Sequence, residues 1–144
     1  MIQYGPPEKV YVELEWYDGP RFGIADISAV PHRFKSLFDE ADDEYLGTFI
    51  VWPVATETLA LEIEQWKIFV EWNSRYERGE ASEKSHPGFS GQNPRWDALS
   101  ELLAQSRSEV PVGAKKALAQ LEHLSREGRY ENDGPDYTLS WCLL

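Results

Sequence analysis

Cysteine, histidine and positive charge are all scarce in this chain, and each scarcity removes a class of function. Cys142 is the only cysteine, so an intramolecular disulfide and a Cys-rich zinc site are both excluded. It lies in an apolar C-terminal run, which predicts a buried, inert thiol. His32, His86 and His123 complete the set of nitrogen and sulfur ligands. None of them stands in an HExxH or CxxC arrangement, so no metal site is expected. Lys and Arg number 14 against 25 Asp and Glu, a formal charge of -11. Phosphate backbones and anionic lipid are bound through clustered Lys and Arg, so neither nucleic acid nor a membrane is an expected partner. An acidic surface suits solubility, or a basic protein partner reached by electrostatic steering.

Long apolar runs are missing too. No stretch approaches the roughly 18–20 residues that a membrane span needs. Met1–Pro7 has neither the basic n-region nor the apolar h-region of a secretory signal, so the expected location is cytoplasmic. G-x-S-x-G, a Walker loop and G-x-G-x-x-G are all absent, and Gly88-Phe89-Ser90-Gly91 does not follow a predicted strand. No catalytic residue is assigned, no cofactor is expected, and there is no internal repeat.

What the chain does have is aromatic weight, 13% with six Trp, in a length that fits one domain over 1–144. Residues 1–9 read as a loose lead-in. Val10, Val12, Leu14 and Trp16 alternate with Tyr11, Glu13, Glu15 and Tyr17, the period of a strand with one dry face. Asp18-Gly19-Pro20 supplies a turn. A second strand follows over 21–27 with Phe22 and Ile24 inward, where Gly23 marks a bulge or a close backbone approach. A turn at 28–31 leads to a third strand over 32–38, and an acidic loop covers 39–44. A fourth strand over 45–54 is apolar almost throughout, as a strand covered on both faces is.

The next segment reads as a helix from a Thr56 or Thr58 cap to Gly79. Leu59, Ile63, Trp66, Val70 and Asn73 share one face, which Phe69 and Trp72 widen. Residues 80–93 form a polar loop with His86-Pro87-Gly88 in it. Asn93 caps a second helix with Pro94 at its first position and Trp96, Leu99 and Leu103 inward. A third helix is predicted over 113–127 through Ala114, Leu118, Leu121 and Leu124, which would put His123 and Glu127 in an i,i+4 surface pair. Tyr137, Leu139, Trp141 and Leu143 alternate in a closing strand. The order ββββ-ααα-β predicts one α+β domain, an antiparallel sheet of about five strands covered by about three helices. A small curled β-barrel with appended helices is the alternative.

Trp16, Asp18, Arg21, Asp26 and His32 fall near the turns of the first three strands and form the candidate binding site. A carboxylate–His–Arg cluster suits acid–base work or an anionic ligand. The competing reading keeps Asp18 as a turn former, Arg21 in an ion pair and His32 in a local hydrogen bond. The run over 39–44 lacks the spacing of a calcium loop and reads as solvated. Trp66, Trp72, Trp96 and Trp141 read as core, whereas Trp16, Tyr17 and Trp52 sit at strand ends, where an aromatic ring lines a groove.

Trp16-Tyr17-Asp18-Gly19-Pro20-Arg21-Phe22-Gly23-Ile24-Ala25, followed by Pro31-His32-Arg33-Phe34, resembles the W-x-D-G-P-x-x-G-I-A…P-H-x-[FY] opening of a group of uncharacterised bacterial proteins. Thr48-Phe49…Pro53, Leu59-Ala60-Leu61-Glu62, Trp66…Trp72 and His86-Pro87 extend the likeness, which covers about residues 10–88. Ser28-Ala29-Val30 departs from it, where a glycine-containing turn is expected. The resemblance implies an autonomous bacterial domain and transfers no activity or site. The functional expectation is a small acidic non-catalytic binding protein, in one version an immunity- or antitoxin-like inhibitor of a basic partner. The alternatives are an enzyme using His32 with Asp18 or Asp26, and a structural subunit of an assembly.

Overall fold

A computed structural model describes residues 2–37 and 47–144; the acidic loop expected at 39–44 lies outside them. The first four strands form near the expected places, as β1 (Glu8–Trp16), β2 (Pro20–Ile27), β3 (Val30–Ser36) and β4 (Thr48–Pro53); residue 38 of the expected third strand and residues 45–46 of the expected fourth lie outside the described residues. Each pairs antiparallel with the next. Asp18 and Gly19 both take positive φ in the β1–β2 turn, the conformation that Asp-Gly adopts at low cost. Gly23 meets both expectations placed on it. The register slips beside it, between Glu13 and Glu15, and a Cβ there would lie 2.3 Å from the Val12 carbonyl oxygen.

The β2–β3 turn is tighter than predicted, with Ile27 paired directly to Val30. Ser28 and Ala29 both sit at positive φ without glycine. The Glu8 carboxylate holds them there, accepting from the Ser28 N–H at 2.9 Å and the Ala29 N–H at 2.8 Å.

Helix α1 (Thr56–Glu77) is capped by Ala55, with no side-chain bond, rather than by a threonine. Its end matches expectation, with Gly79 at φ 74°. Helix α2 (Pro94–Ser108) begins as predicted, the Asn93 side chain accepting from the Trp96 N–H at 2.9 Å. The polar loop between them folds back on α1: Trp72 Nε1 donates to Ser85 Oγ at 3.0 Å.

The predicted third helix is not formed. Residues 115–123 are strand β5 (Lys115–His123), so the described residues hold two α-helices and no His123–Glu127 helical pair. A short hairpin follows, β6 (Tyr130–Glu131) with β7 (Gly134–Pro135), and then β8 (Tyr137–Leu143). The six long strands close into an antiparallel barrel in the order β1-β2-β3-β4-β5-β8, which is the barrel alternative and not an open sheet. The physical reason is backbone accounting. Without β5, facing edges of β4 and β8 would present unpaired N–H and C=O groups. β5 satisfies both edges, from Thr48↔Leu118 on one side to His123↔Tyr137 on the other. That demand outweighs the helix propensity of an Ala/Leu/Lys/Gln segment. Its side chains suit the role: Ala117, Ala119 and Leu121 face the barrel core.

Two apolar layers result. Val10, Ala25, Phe34, Phe49, Tyr137, Leu139 and Trp141 fill the barrel. Val12, Ile24 and Trp66, with Leu14, Leu59 and Phe69, join the outer face of β1–β2 to α1. The lead-in is tied down, because the Gly5 N–H donates to the Trp141 carbonyl at 2.9 Å. Cys142 is partly exposed rather than buried.

Candidate functional site

The inner stripe of α1 is not purely apolar. Glu62, Gln65, Trp66 and Phe69 follow one another at helical i, i+3, i+4, i+7 spacing, so two polar groups share a face with two rings. That stripe faces the outer surface of β1–β3, where β3 turns Phe34 into the barrel and Arg33 out toward the helices. Arg33 and Glu62 are both fully buried and meet at 2.8 Å. Arg33 Nη2 donates to Ser106 Oγ of α2 at 2.9 Å. Arg107 brings a second guanidinium to the same carboxylate: its Nε donates to Glu62 Oε2 at 3.1 Å, and its Nη2 donates to Glu62 Oε1 and, at 2.5 Å, to Gln65 Oε1. Gln65 Nε2 completes the lattice by donating to Ser100 Oγ at 2.8 Å and to the Trp96 carbonyl at 3.1 Å. Burial pushes the Arg33 guanidinium below its ordinary value, while Glu62 opposes that shift and Arg107 adds to it. Satisfied on several sides, a buried charge cluster of this kind pins β3, α1 and α2 in one arrangement.

Beside this network a cleft of about 500 Å³ opens between the barrel wall and the helix pair. Trp16 and Phe22 come from the barrel, Trp66 and Phe69 from α1, Trp96 from α2, and Tyr130 from the small hairpin. Glu62, Gln65 and Arg107 supply its polar groups, with Glu13 and Glu15 also along the wall. The rings brace one another: Phe69 and Tyr130 meet edge to face at 5.0 Å, and Trp66 meets Tyr130 at 5.7 Å. His86 closes one side, 4.5 Å from the Trp72 ring. Its Nδ1 accepts from the Gly88 N–H at 2.8 Å, and burial pushes its pKa down.

Two of the cleft's rings already carry a cation of the protein's own. Arg129 lies 4.7 Å from the Trp16 ring centre and 4.5 Å from that of Tyr130, within the range of cation–π attraction. Its Nη2 donates to Glu13 Oε1 at 2.8 Å, and the Tyr137 hydroxyl donates to the same oxygen at 2.8 Å. Burial, then the Glu13 charge, pushes the Tyr137 hydroxyl far above its ordinary value.

The five residues predicted as a site do not converge. Asp18 and Arg21 lie at the β1–β2 end of β2, whereas Asp26 and His32 lie at its other end, paired near Pro31 and Ala25. Five steps along the strand take Arg21 to Asp26, about 16 Å at the usual rise. Arg21 is buried and donates from Nε to the Tyr17 carbonyl at 2.6 Å and from Nη1 to Ser36 Oγ at 3.2 Å. Asp26 accepts from the Tyr11 hydroxyl at 2.9 Å, and His32 Nδ1 lies 2.7 Å from the Val30 carbonyl. Trp16 alone belongs to the aromatic cleft. With Asp18 it also borders a second cavity of about 350 Å³ under the β1–β2 turn, against Phe49 and Leu139 of the barrel interior. Trp52 is buried yet still borders a groove, a third cavity between the end of β4 and the end of α2.

Sequence reading missed Arg33, Glu62, Gln65, Arg107, Arg129 and Tyr130. For Glu62 and Gln65 a signal was present, since both fall in the register of Trp66 and Phe69. Arg33 and Arg107 carried none, because 73 residues separate Arg33 from Ser106 and only the fold unites them.

Among the described residues no group of three or more His, Cys, Asp or Glu is placed to hold a metal, and no helix is long and apolar enough to cross a membrane. Fold and cleft together define a small antiparallel barrel flanked by a helix pair, with an aromatic cavity at the seam. The chain matches no protein-family model, no curated protein and no solved structure.

Proposed function

We infer that the protein is a non-catalytic binding protein whose ligand occupies the cleft between the barrel and the helix pair. The observation that carries this reading is the preformed cavity of about 500 Å³ walled by rings from five separate elements. Concave, mostly apolar pockets of roughly 300–1,000 Å³ with a few fixed polar groups are the usual form of a small-molecule site. The geometry favours binding over catalysis by His32, because its ring bonds the Val30 carbonyl, Asp18 sits at the far end of β2, and Asp26 accepts from the Tyr11 hydroxyl. A set of bicyclic aromatic fragments, screened by NMR on the tryptophan indole N–H signals, tests the assignment. Signals of Trp16, Trp66 and Trp96 should move while that of Trp141, inside the barrel, stays. A screen in which no fragment moves those three signals sinks the reading.

A protein partner is the second reading, in the immunity- or antitoxin-like form. It is favoured by exposed Leu102, Val110 and Val112 beside Glu101 and Glu109, an apolar strip with acidic edges that suits a basic surface. Capture from the native host that recovers only acidic proteins, or none, would end it.

A further inference from the structure

We propose that the aromatic cleft binds a planar aromatic carboxylate, its ring held among Trp66, Trp96 and Phe22 and its anionic group on Arg107. The inference rests on the binding reading above and names the ligand's charge.

The argument begins with unequal numbers. Two guanidiniums, Arg33 and Arg107, converge on one carboxylate, Glu62, and the other groups they touch, Ser106 and Gln65, are neutral. The network therefore carries one positive charge in excess, although the whole chain is at -11. Uncompensated charge beside a low-dielectric wall is costly, and an anion placed there relieves it. Arg107 has the means to receive one. Its Nε and Nη2 are committed to Glu62 and Gln65, but its Nη1 makes no hydrogen bond among the described residues, and its side chain keeps 23% exposure where it lines the cleft. Guanidinium N–H groups match a carboxylate's oxygens in both charge and plane.

The remaining acids do not compete for Arg107. Glu13 is engaged by Arg129 and by the Tyr137 hydroxyl. Glu15 is exposed at the end of β1. A cationic ligand is disfavoured by the same geometry, since the place over Trp16 and Tyr130 where a cation would stack already holds Arg129. What remains open is ring-lined space and a guanidinium edge.

Three probes of one size separate the possibilities: 2-naphthoate, 2-naphthalenemethanol and 2-naphthylmethylammonium, each titrated into the full chain by calorimetry at pH 7. The naphthoate should bind at least tenfold tighter than the alcohol, and the ammonium weakest. Arg107→Gln should remove the naphthoate's advantage, lowering its affinity at least tenfold more than it lowers the alcohol's. Arg107→Lys, which keeps the charge and loses the planar fork, should retain only part of it and serves if the glutamine variant does not fold. Equal binding of naphthoate and alcohol, or preference for the ammonium, overturns the carboxylate assignment while leaving the cleft a ligand site. No binding by any probe, together with unmoved Trp16, Trp66 and Trp96 signals, overturns both.

Discussion

Arg33 on β3 and Glu62 on α1 form an ion pair at 2.8 Å, with both side chains fully buried, and this pair is the seam between barrel and helices. A buried pair adds little over a well-packed apolar one, but breaking it strands a charge. Glu62→Gln should therefore destabilise the fold by about 3–5 kcal/mol, read as a lower urea midpoint. Arg33→Met combined with Glu62→Gln should cost less than the sum of the single changes, because the coupling between them has already been removed. Additive losses would show that the pair is not coupled.

The β2–β3 turn holds two non-glycine residues in left-handed backbone. Ala29→Gly should stabilise the protein by about 1 kcal/mol, since glycine takes that conformation without the Cβ penalty. Glu8→Ala should destabilise by about 1 kcal/mol through loss of the carboxylate acceptor. Denaturant midpoints of the two variants test the assignment, and an unchanged Glu8→Ala midpoint would refute the clamp.

Gly23→Ala should be among the most damaging of small changes. Its methyl group would meet the Val12 carbonyl at 2.3 Å and the Phe34 ring at 2.8 Å, and neither the ladder nor the barrel core can give way without cost. A loss of about 3 kcal/mol is expected for such overpacking, measured by thermal or urea unfolding.

Alkaline pH should weaken the fold through its buried hydroxyls. Burial first, then the bond to Asp26 and its charge, pushes Tyr11 up to about 12, and Tyr137 shifts in the same direction. A folded-state pKa above the unfolded value of about 10 means that the native state keeps protons the unfolded chain gives up. The stabilisation is thus intact below about pH 10 and is lost as pH rises through 12. Urea midpoints between pH 9 and 12 should fall along that window, and Tyr11→Phe should flatten the slope. A flat wild-type profile would contradict the assignment.

The segment 113–127 should behave differently alone and in the protein. As an isolated peptide in trifluoroethanol–water it is expected to be helical by circular dichroism, because its Ala, Leu, Lys and Gln content favours helix locally. In the intact chain, amide exchange at 117–119, where the pairing of β5 to β4 and to β8 overlaps, should show the protection of a strand. A peptide with no helical tendency would remove propensity as the source of the conflict.

Much of this protein was determined by sequence alone, wherever the deciding interactions are local. The strand at Val10–Trp16, the Asp18-Gly19 turn, the Asn93-Pro94 helix start, the Gly79 helix end and the Tyr137–Trp141 strand all depend on groups within a few residues, and each formed where its residue types demand, although a register shift puts Val10 in the barrel and Val12 under α1. Three things needed the tertiary structure. Strand β5 exists because two distant edges require a partner, which outweighs its own helical preference. The charge network exists because Arg33, Glu62 and Arg107, 45 residues apart between the last two, are brought to one point by barrel closure and helix packing. The dispersal of Asp18, Arg21, Asp26 and His32 follows from the same fact in reverse. Residues close in sequence on an extended strand are carried about 3.3 Å further apart at each step, so nearness along the chain put them at opposite ends of β2, while the cleft was assembled from residues no local pattern could join.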